Sequence, residues 1–220
     1  MPPCLKVDLL CPDPSILQEA LGVLQKGGIV AYPTDTVYGL AVDAMNPQAV
    51  ARLYRAKRRP QEKAIPLIVS GLAQVSQLAA LPSCAAKRLM RAFWPGPLTL
   101  LMPAHERAPQ HLLGEGRRIG VRCPRLALNQ QLAQALGNAI TATSANLSGL
   151  PAALSAAEVI AQLAPTIDLV LDGGVAQSTA VSTILDVGVH PPRLCRPGKL
   201  SVQEIETALG YAVMQDAGRP

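Results

Sequence analysis

Aromatic residues are scarce in this sequence, and long apolar runs are absent from it. Phe, Trp and Tyr together make up 3% of the 220 residues, which argues against a single-strand nucleic-acid binding domain, because such domains stack bases on several aromatic rings. No apolar run approaches the roughly 20 residues of a membrane-spanning helix. The N-terminal stretch MPPCLKVDLLCPDP lacks the apolar core of a secretory signal. We therefore expect a cytoplasmic protein with no membrane contact.

Several motifs of common enzyme classes are also missing. The chain has no G-x-x-x-x-G-K-[ST], G-x-G-x-x-G, H-E-x-x-H or G-x-S-x-G sequence, so a P-loop, a dinucleotide fold, a zincin site and a nucleophile elbow are not indicated. The five cysteines form no C-x-x-C pair and lie far in sequence from the three histidines. Free thiols in a reducing compartment are expected rather than a zinc site or disulfides. The net charge of +5 suits phosphates or nucleic acid without deciding between functions.

Helical and strand patterns alternate along almost the whole sequence. One helix is predicted over residues 15–26, and another over 47–56, where Asn46 is the expected N-cap residue. Most strands are separated by helices, but the last three follow one another through short turns, and this favours a mixed sheet. The predicted fold class is α/β, with a twisted parallel and antiparallel sheet flanked by helices. We expect a single domain over 1–210 and a disordered tail over 211–220.

Polar residues interrupt the apolar pattern within the segment IVAYPTDTVYGLAVDA. Two apolar runs are separated there by Pro33 and by the consecutive side chains of Thr34, Asp35 and Thr36. A tight polar turn in a hairpin would explain this break. A turn whose side chains face a substrate would explain it equally well, so the segment is a candidate site and no more.

Cations and hydroxyls crowd at three further breaks in the apolar pattern. Arg122 lies inside the apolar strand pattern RIGVRCP, where an arginine needs an anion partner. The segment TATSANLSG offers hydroxyls, an amide and backbone N–H groups to an anion or nucleotide. LCRPGKLS adds Arg196, and YRAKRRP adds a cationic triplet that would also fit a solvated helix end. Without an obvious nucleophile, this pattern indicates a site that binds phosphates and a small anion and catalyses by positioning and charge stabilisation.

Taken in order, these segments resemble the YrdC/Sua5 family of threonylcarbamoyl-AMP synthases. The family signature K-x-R…S-x-N is matched by Lys57-x-Arg59 and Ser144-x-Asn146. The flanks PTDTVYGL, WPGPLTL, GVRCP, TSANLSG and RPG follow in the family's order and spacing, within residues 14–209. The resemblance implies a YrdC-like sheet that forms a large, positively charged cavity, and it implies the short, single-domain form of the family.

The resemblance also implies a nucleotidyltransferase reaction. L-threonine, bicarbonate and ATP would give threonylcarbamoyl-AMP and pyrophosphate, with Mg²⁺ required alongside ATP. Bicarbonate carboxylates the threonine amine, and the carbamate oxygen then attacks the α-phosphate. The product would serve the N6-threonylcarbamoyladenosine (t6A) modification at position 37 of tRNA. Small molecules are thus the expected partners, and tRNA and the downstream threonylcarbamoyl-transfer proteins are further candidates.

Individual side chains receive roles from their positions in the family motifs. The implied catalytic residues are Lys57, Arg59, Ser144 and Asn146. The implied ATP-binding residues are these four together with Lys63, Ser182 and Arg196. The implied threonine-binding residues are Thr34, Ser70, Arg122 and Thr143. Arg122 would hold the threonine carboxylate with two parallel hydrogen bonds, and no metal ligand is assigned.

Three positions depart from the family pattern. The loop after Arg59 is two residues longer than usual, so that Lys63 stands where an asparagine contact is expected. Ser70 occupies a position at which many relatives have histidine, and Ala152 lies near one that is often serine. Two rival functions stay open on the sequence alone: carbamoyl-adenylate formation of the hydrogenase-maturation type, and RNA binding without catalysis.

Overall fold

Helices and strands alternate in the structure as the sequence pattern predicts. The structure, a computed structural model, describes residues 1–80, 82–176 and 181–215. Its helices are α1 (Pro14–Gln25), α2 (Pro47–Lys57), α3 (Leu72–Leu78), α4 (Cys84–Phe93), α5 (Ala127–Leu136), α6 (Ala156–Leu163) and α7 (Val202–Leu209). Short 3₁₀ turns lie at Gln110–Leu112 and Glu115–Arg117. No helix in the described ranges has the length and apolar character needed to cross a membrane.

The strands form two sheets, and each sheet contains both parallel and antiparallel pairs. The five-stranded sheet has the order β1 (Cys4–Lys6), β9 (Leu169–Asp172), β2 (Val30–Tyr32), β3 (Gly39–Ala41), β8 (Thr143–Ser144). The seven-stranded sheet has the order β12 (Met214–Gln215), β11 (Arg193–Arg196), β10 (Thr183–Asp186), β5 (Leu98–Pro103), β6 (Arg118–Arg122), β4 (Leu67–Ile68), β7 (Ile140–Thr141). The mixed pairing is confirmed, although the strands divide between two sheets where one was expected.

The start of helix α2 is visible in its sequence, and its end follows from the backbone conformation of one residue. The side-chain oxygen of Asn46 caps its first turn, and Pro47 occupies the first helical position, as predicted. The helix ends after Lys57 because Arg58 adopts a left-handed backbone conformation with φ of 50°. The chain therefore leaves the helix between Lys57 and Arg59, and these two cations contact different parts of the protein.

The interrupted segment IVAYPTDTVYGLAVDA forms a hairpin. Strands β2 and β3 pair antiparallel, with Val30 opposite Ala41, and every residue of both strands is buried. Strands that are buried on both faces have continuous apolar sequences, which accounts for the two runs around the polar break. Strand β3 also pairs with β8, where Gly39 lies opposite Ser144. The hairpin and the S-x-N segment are therefore neighbours in one sheet.

Two edge strands were not predicted from the sequence. Strand β1 pairs in parallel with β9, and strand β12 pairs in parallel with β11, where Arg193 lies opposite Met214. The predicted disordered tail over 211–220 is therefore wrong for 211–215, which continue the structure and end in β12. Residues 216–220 lie outside the described residues.

Candidate functional site

A cavity of about 420 Å³ lies against both sheets and the hairpin turn. The five-stranded sheet contributes Tyr32, Gly39, Thr143 and Ser144, and the turn contributes Thr34, Thr36 and Val37. The seven-stranded sheet contributes Ile68, Thr99, Leu101, Gly120, Arg122, Ile184 and Arg196. The cavity thus collects most of the segments at which the sequence breaks its apolar pattern.

Guanidinium groups are the prominent charges of the cavity wall. The charged residues that line it are Arg59, Arg118, Arg122, Arg193, Arg196, Glu115 and Asp186. Burial, together with the charges of Arg122 and Arg59, lowers the pKa of the Arg196 guanidinium below its ordinary value. Arg122 and Arg59 are therefore both close enough to Arg196 to repel it, and an anion bound beside Arg196 would relieve that repulsion. The predicted positive charge of the cavity as a whole stays a prediction.

Arg122 has its anion partner inside the protein. Arg122 is 6% exposed, and its Nη2 atom donates to the Oδ1 atom of Asp35 in the hairpin turn. Its Nε atom donates to the backbone oxygen of Gly96 at 3.0 Å. The expectation that Arg122 needs an anion is confirmed in this form, but sequence reasoning had named Asp35 only as part of the polar break.

The hydroxyl of Thr34 closes the hairpin turn. Its Oγ1 atom donates to the Val37 oxygen at 2.6 Å and accepts the backbone N–H of Thr36 at 3.1 Å. Both threonines line the cavity. The two readings of the polar break are therefore compatible, because a tight hydrogen-bonded turn also forms part of the cavity wall.

Lys57 is buried and holds the S-x-N segment from behind. The residue is 1% exposed, and its Nζ atom donates to the backbone oxygen of Ser144 and to the Asn146 oxygen at 2.8 Å. A third contact joins Nζ to the Asn146 Oδ1 atom at 3.3 Å. Burial and the nearby charge of Arg59 lower the pKa of Lys57 to about 7. All its donors are directed at this segment, so Lys57 shapes the turn that carries Ser144.

Ser144 and Asn146 take different places in that turn. Ser144 lines the cavity, and its Oγ atom donates to the Asn146 Oδ1 atom. Asn146 is 8% exposed, and its Nδ2 atom donates to the backbone oxygens of Leu147 at 2.9 Å and Leu150 at 2.6 Å. Asn146 therefore fixes the loop, whereas Ser144 faces the cavity.

Arg59 is tied to the lengthened loop that follows it. Its Nε atom donates to the backbone oxygen of Lys63 at 2.9 Å, and its Nη2 atom donates to that of Ala64 at 3.0 Å. Tyr54 donates to the same Lys63 oxygen at 3.0 Å. Burial lowers the pKa of Arg59. It is the backbone of Lys63 that orients Arg59, while the Lys63 side chain is exposed.

Arg196 donates to Ser182, which is buried although Arg196 itself is partly exposed. The Nε and Nη2 atoms of Arg196 donate to the backbone oxygen of Ser182 at 3.2 and 2.7 Å. The Ser182 hydroxyl accepts from Nη2 at 3.0 Å and lies 2.9 Å from the Thr99 hydroxyl. Ser182, which directly precedes β10, is thereby joined to Arg196 on β11 and Thr99 on β5 at one place on the cavity wall.

The predicted site residues are only partly brought together. Those on the cavity wall are Thr34, Arg59, Arg122, Thr143, Ser144, Ser182 and Arg196. Among the described residues, the wall does not include Lys57, Lys63, Ser70 or Asn146. The backbone N–H of Ser70 is bound by the side-chain oxygen of Gln74 at 2.8 Å.

Sequence reasoning also missed a charged cluster at another part of the wall. Arg118 donates from Nε to the Oδ1 atom of Asp186 at 3.3 Å, and Arg193 approaches the other carboxylate oxygen at 3.8 Å. Asp186 is 3% exposed. A charged residue at the end of the apolar strand pattern TILD was the available signal, because a buried carboxylate requires partners.

The donors for a resident metal ion are not gathered in this site. Within the described ranges, no group of three or more His, Cys, Asp and Glu side chains could hold a metal ion. Asp35 and Asp186 are each engaged by an arginine. A divalent cation at this cavity would therefore be held chiefly by phosphate oxygens and water, which is the usual manner of Mg²⁺ beside a nucleotide.

This chain is similar in sequence to a known protein family and to curated threonylcarbamoyl-AMP synthases. The family model of Sua5, YciO and YrdC, described as "Telomere recombination", matches residues 22–198. The threonylcarbamoyl-AMP synthase of Pyrococcus abyssi is 37% identical over 191 residues, which cover 87% of this chain and 56% of that protein. The synthase of Bacillus subtilis is 39% identical over 207 residues, which cover 92% of this chain and 59% of the relative. The chain thus spans less than two thirds of both proteins.

A shorter relative and two solved structures match over most of this chain. The threonylcarbamoyl-AMP synthase of Vibrio cholerae is 38% identical over 172 residues, which cover 77% of this chain and 92% of that protein. The structure of Pyrococcus abyssi Sua5 complexed with L-threonine has a TM-score of 0.91 at 34% identity, covering 96% of this chain and 62% of that one. Escherichia coli YciO has a TM-score of 0.85 at 28% identity, covering 93% and 100%.

Proposed function

This chain belongs to the Sua5/YciO/YrdC family, and we propose that it forms L-threonylcarbamoyl-AMP and pyrophosphate from L-threonine, bicarbonate and ATP. The observation that supports this proposal most directly is the group of Arg59, Arg122 and Arg196 on one cavity wall, with Thr34, Thr143, Ser144 and Ser182 beside them. Such a site suits two anionic substrates that react with each other. The similarity to a Sua5 structure that holds L-threonine supports threonine as one of them.

The proposed reaction needs no nucleophile from the protein. The threonine amine and bicarbonate form a carbamate with loss of water, and one carbamate oxygen attacks the α-phosphorus of ATP. The bond between the α-phosphorus and its bridging oxygen breaks, and pyrophosphate leaves. Catalysis then rests on holding the two anions together and on neutralising the phosphate charge. Arginines on the cavity wall do both, since a guanidinium keeps its charge and offers donors in a fixed plane.

We assign the phosphates of ATP to Arg59, Arg196 and Ser182, and the carboxylate of threonine to Arg122. Thr34 and Thr143 would line the amino-acid pocket, and Ser144 would contact the nucleotide. Lys57 and Asn146 act through the turn that carries Ser144, because their polar atoms bind that turn. Contacts from Lys63 to ATP and from Ser70 to threonine, which the family resemblance implies, would require both side chains to turn toward the cavity.

Mg²⁺ is proposed to enter with ATP as its counter-ion. Asp35 and Asp186 are paired with arginines, and the described residues hold no cluster of three or more His, Cys, Asp and Glu side chains, so the phosphate oxygens are the natural ligands of the ion. When bound, Mg²⁺ would neutralise phosphate charge. The product is proposed to serve the t6A modification at position 37 of tRNA, with tRNA and the downstream transfer proteins as later partners.

An omission series tests this function. Pyrophosphate release is measured with purified protein, Mg-ATP and combinations of L-threonine and bicarbonate. We expect release only when threonine and bicarbonate are both present. Release with carbamoyl phosphate in place of both would favour carbamoyl-adenylate chemistry. RNA binding with no pyrophosphate release under any combination would favour a binding module.

A further inference from the structure

The ion pair between Asp35 and Arg122 joins the hairpin turn to strand β6. Both side chains are nearly inaccessible, with exposed fractions of 13% for Asp35 and 7% for Arg122. The second carboxylate oxygen of Asp35 lies 3.5 Å from the backbone nitrogen of Arg125. One residue before the turn, the Pro33 oxygen accepts from the Asn129 Nδ2 atom at 3.1 Å. The turn is therefore held from one side by β6 and by the beginning of helix α5.

The contacts of Arg122 leave one edge of its guanidinium for a substrate. A guanidinium has five N–H donors in a plane. The Nε donor is used by the Gly96 oxygen, and one Nη2 donor is used by Asp35. In the described part of the chain, no hydrogen bond of the Nη1 group is found. The free edge, formed by Nη1 and the second Nη2 hydrogen, matches the two oxygens of a carboxylate.

Asp35 also compensates the charge of Arg122 before a substrate arrives. Removing a guanidinium from water is costly unless an anion and further hydrogen bonds compensate it. Without Asp35, the Gly96 oxygen alone would hold the buried group, and rotation about its last bonds would turn the free edge away from the cavity. Two anchors at two different nitrogens define the plane of the group.

We propose that Asp35 is a positioning residue for the amino-acid substrate. It fixes the plane of Arg122 so that the remaining edge faces the α-carboxylate, and it ties the turn bearing Thr34 and Thr36 to the same strand. This role rests on the proposed function, because it presupposes that Arg122 binds the carboxylate of an amino acid. Asp35 itself need not touch the substrate.

The test is Asp35→Asn, which keeps the size of the side chain and removes its charge. L-threonine binding is measured by calorimetry on the full chain, and the KM values for threonine and ATP are measured by pyrophosphate release. We expect the Kd and KM for threonine to rise about ten- to a hundredfold, since misplacing a binding group by about 1 Å has effects of this size. The KM for ATP should change little, and Asp35→Glu, which retains the charge, should restore most of the threonine affinity.

Asp168→Asn is the matched control. Asp168 pairs with Arg52 at 2.8 Å and accepts the backbone N–H of Ile29 at 2.7 Å, so it resembles Asp35 in chemistry, but its partner Arg52 does not line the cavity whereas Arg122 does. This variant should leave the KM for threonine unchanged even where it lowers the melting temperature. A similar rise in the KM of both substrates in Asp35→Asn would indicate a merely structural role and overturn the proposal.

Two further outcomes separate the possible errors. Unchanged or tighter threonine binding by Asp35→Asn would overturn the positioning role, because Asp35 would then be a bystander or a competitor of the carboxylate. Failure of the wild-type protein to bind L-threonine would instead contradict the proposed function, and the assignment of Asp35 would be withdrawn with it.

Discussion

Replacing Lys57 by methionine should destroy activity while the protein stays folded. Methionine keeps most of the apolar stem and removes the three contacts from Nζ to Ser144 and Asn146. The turn that presents Ser144 to the cavity would lose its support. A displaced group in an active site typically lowers turnover by about a hundredfold, and we expect a loss of at least this size in kcat.

The expected effect on stability follows from two opposing terms. Burial beside Arg59 lowers the pKa of Lys57 from 10.5 to about 7, which corresponds to about 5 kcal/mol of unfavourable free energy while the group is charged in the folded state. Methionine removes this unfavourable free energy, but the three oxygen acceptors of Nζ then lose its hydrogen bonds. Two of them keep another donor, because the Ser144 oxygen accepts the backbone N–H of Asn146 and the Asn146 Oδ1 atom accepts from Ser144. The lost hydrogen bonds then amount to about 2–6 kcal/mol.

The two effects oppose each other, so the unfolding free energy of Lys57→Met should lie between about 1 kcal/mol below and about 3 kcal/mol above the wild-type value. Urea denaturation and pyrophosphate release measured on the same preparation would check both parts. Arg55→Met is the matched control, because Arg55 is an exposed cation in the last turn of the same helix. Near-normal turnover in a folded Lys57→Met protein would refute the role of Lys57 in shaping the turn.

Three more predictions follow from the same contacts. Arg59→Ala should abolish pyrophosphate release while unfolding stays cooperative, and substantial turnover would remove Arg59 from the phosphate site. Arg122→Ala should raise the KM for threonine far more than that for ATP, because breaking a buried charged pair typically costs about 2–5 kcal/mol; equal effects on both substrates would place this arginine elsewhere. Between pH 7 and 10.5 the unfolded chain holds the Lys57 proton that the folded protein has released, as the pKa of about 7 requires. Wild-type stability should therefore rise with pH relative to Lys57→Met, by up to about 1.4 kcal/mol per pH unit, and a flat difference in urea denaturation would contradict the lowered pKa.

Local signals in the sequence were sufficient to predict most elements of the fold. Asn46 and Pro47 marked the start of α2 because capping depends on neighbouring residues alone. The strands β1 and β12 were missed because segments of three and two residues carry no periodicity, and their pairing depends on distant partners. The division into two sheets also depends on long-range pairing, and no local pattern encodes it.

The candidate site was predictable in its composition but not in its arrangement. A buried cation inside a strand predicted a partner for Arg122, yet the partner, Asp35, is 87 residues away in the sequence. The K-x-R motif does not show that the side chains of Lys57 and Arg59 contact different parts of the protein. That separation follows from the left-handed backbone conformation of Arg58. The lengthened loop likewise contributes the Lys63 backbone oxygen to Arg59, whereas the sequence had drawn attention to the Lys63 side chain.

The proposed function requires that this cavity join threonine, bicarbonate and ATP into one product. Mass spectrometry of a reaction with ¹³C-bicarbonate, ¹⁵N-threonine and Mg-ATP measures this directly. We expect a single nucleotide adduct that carries AMP, the ¹³C label and the ¹⁵N label together, with one pyrophosphate released for each adduct formed. An AMP adduct that lacks the ¹⁵N label, or pyrophosphate release without any labelled adduct, would contradict it.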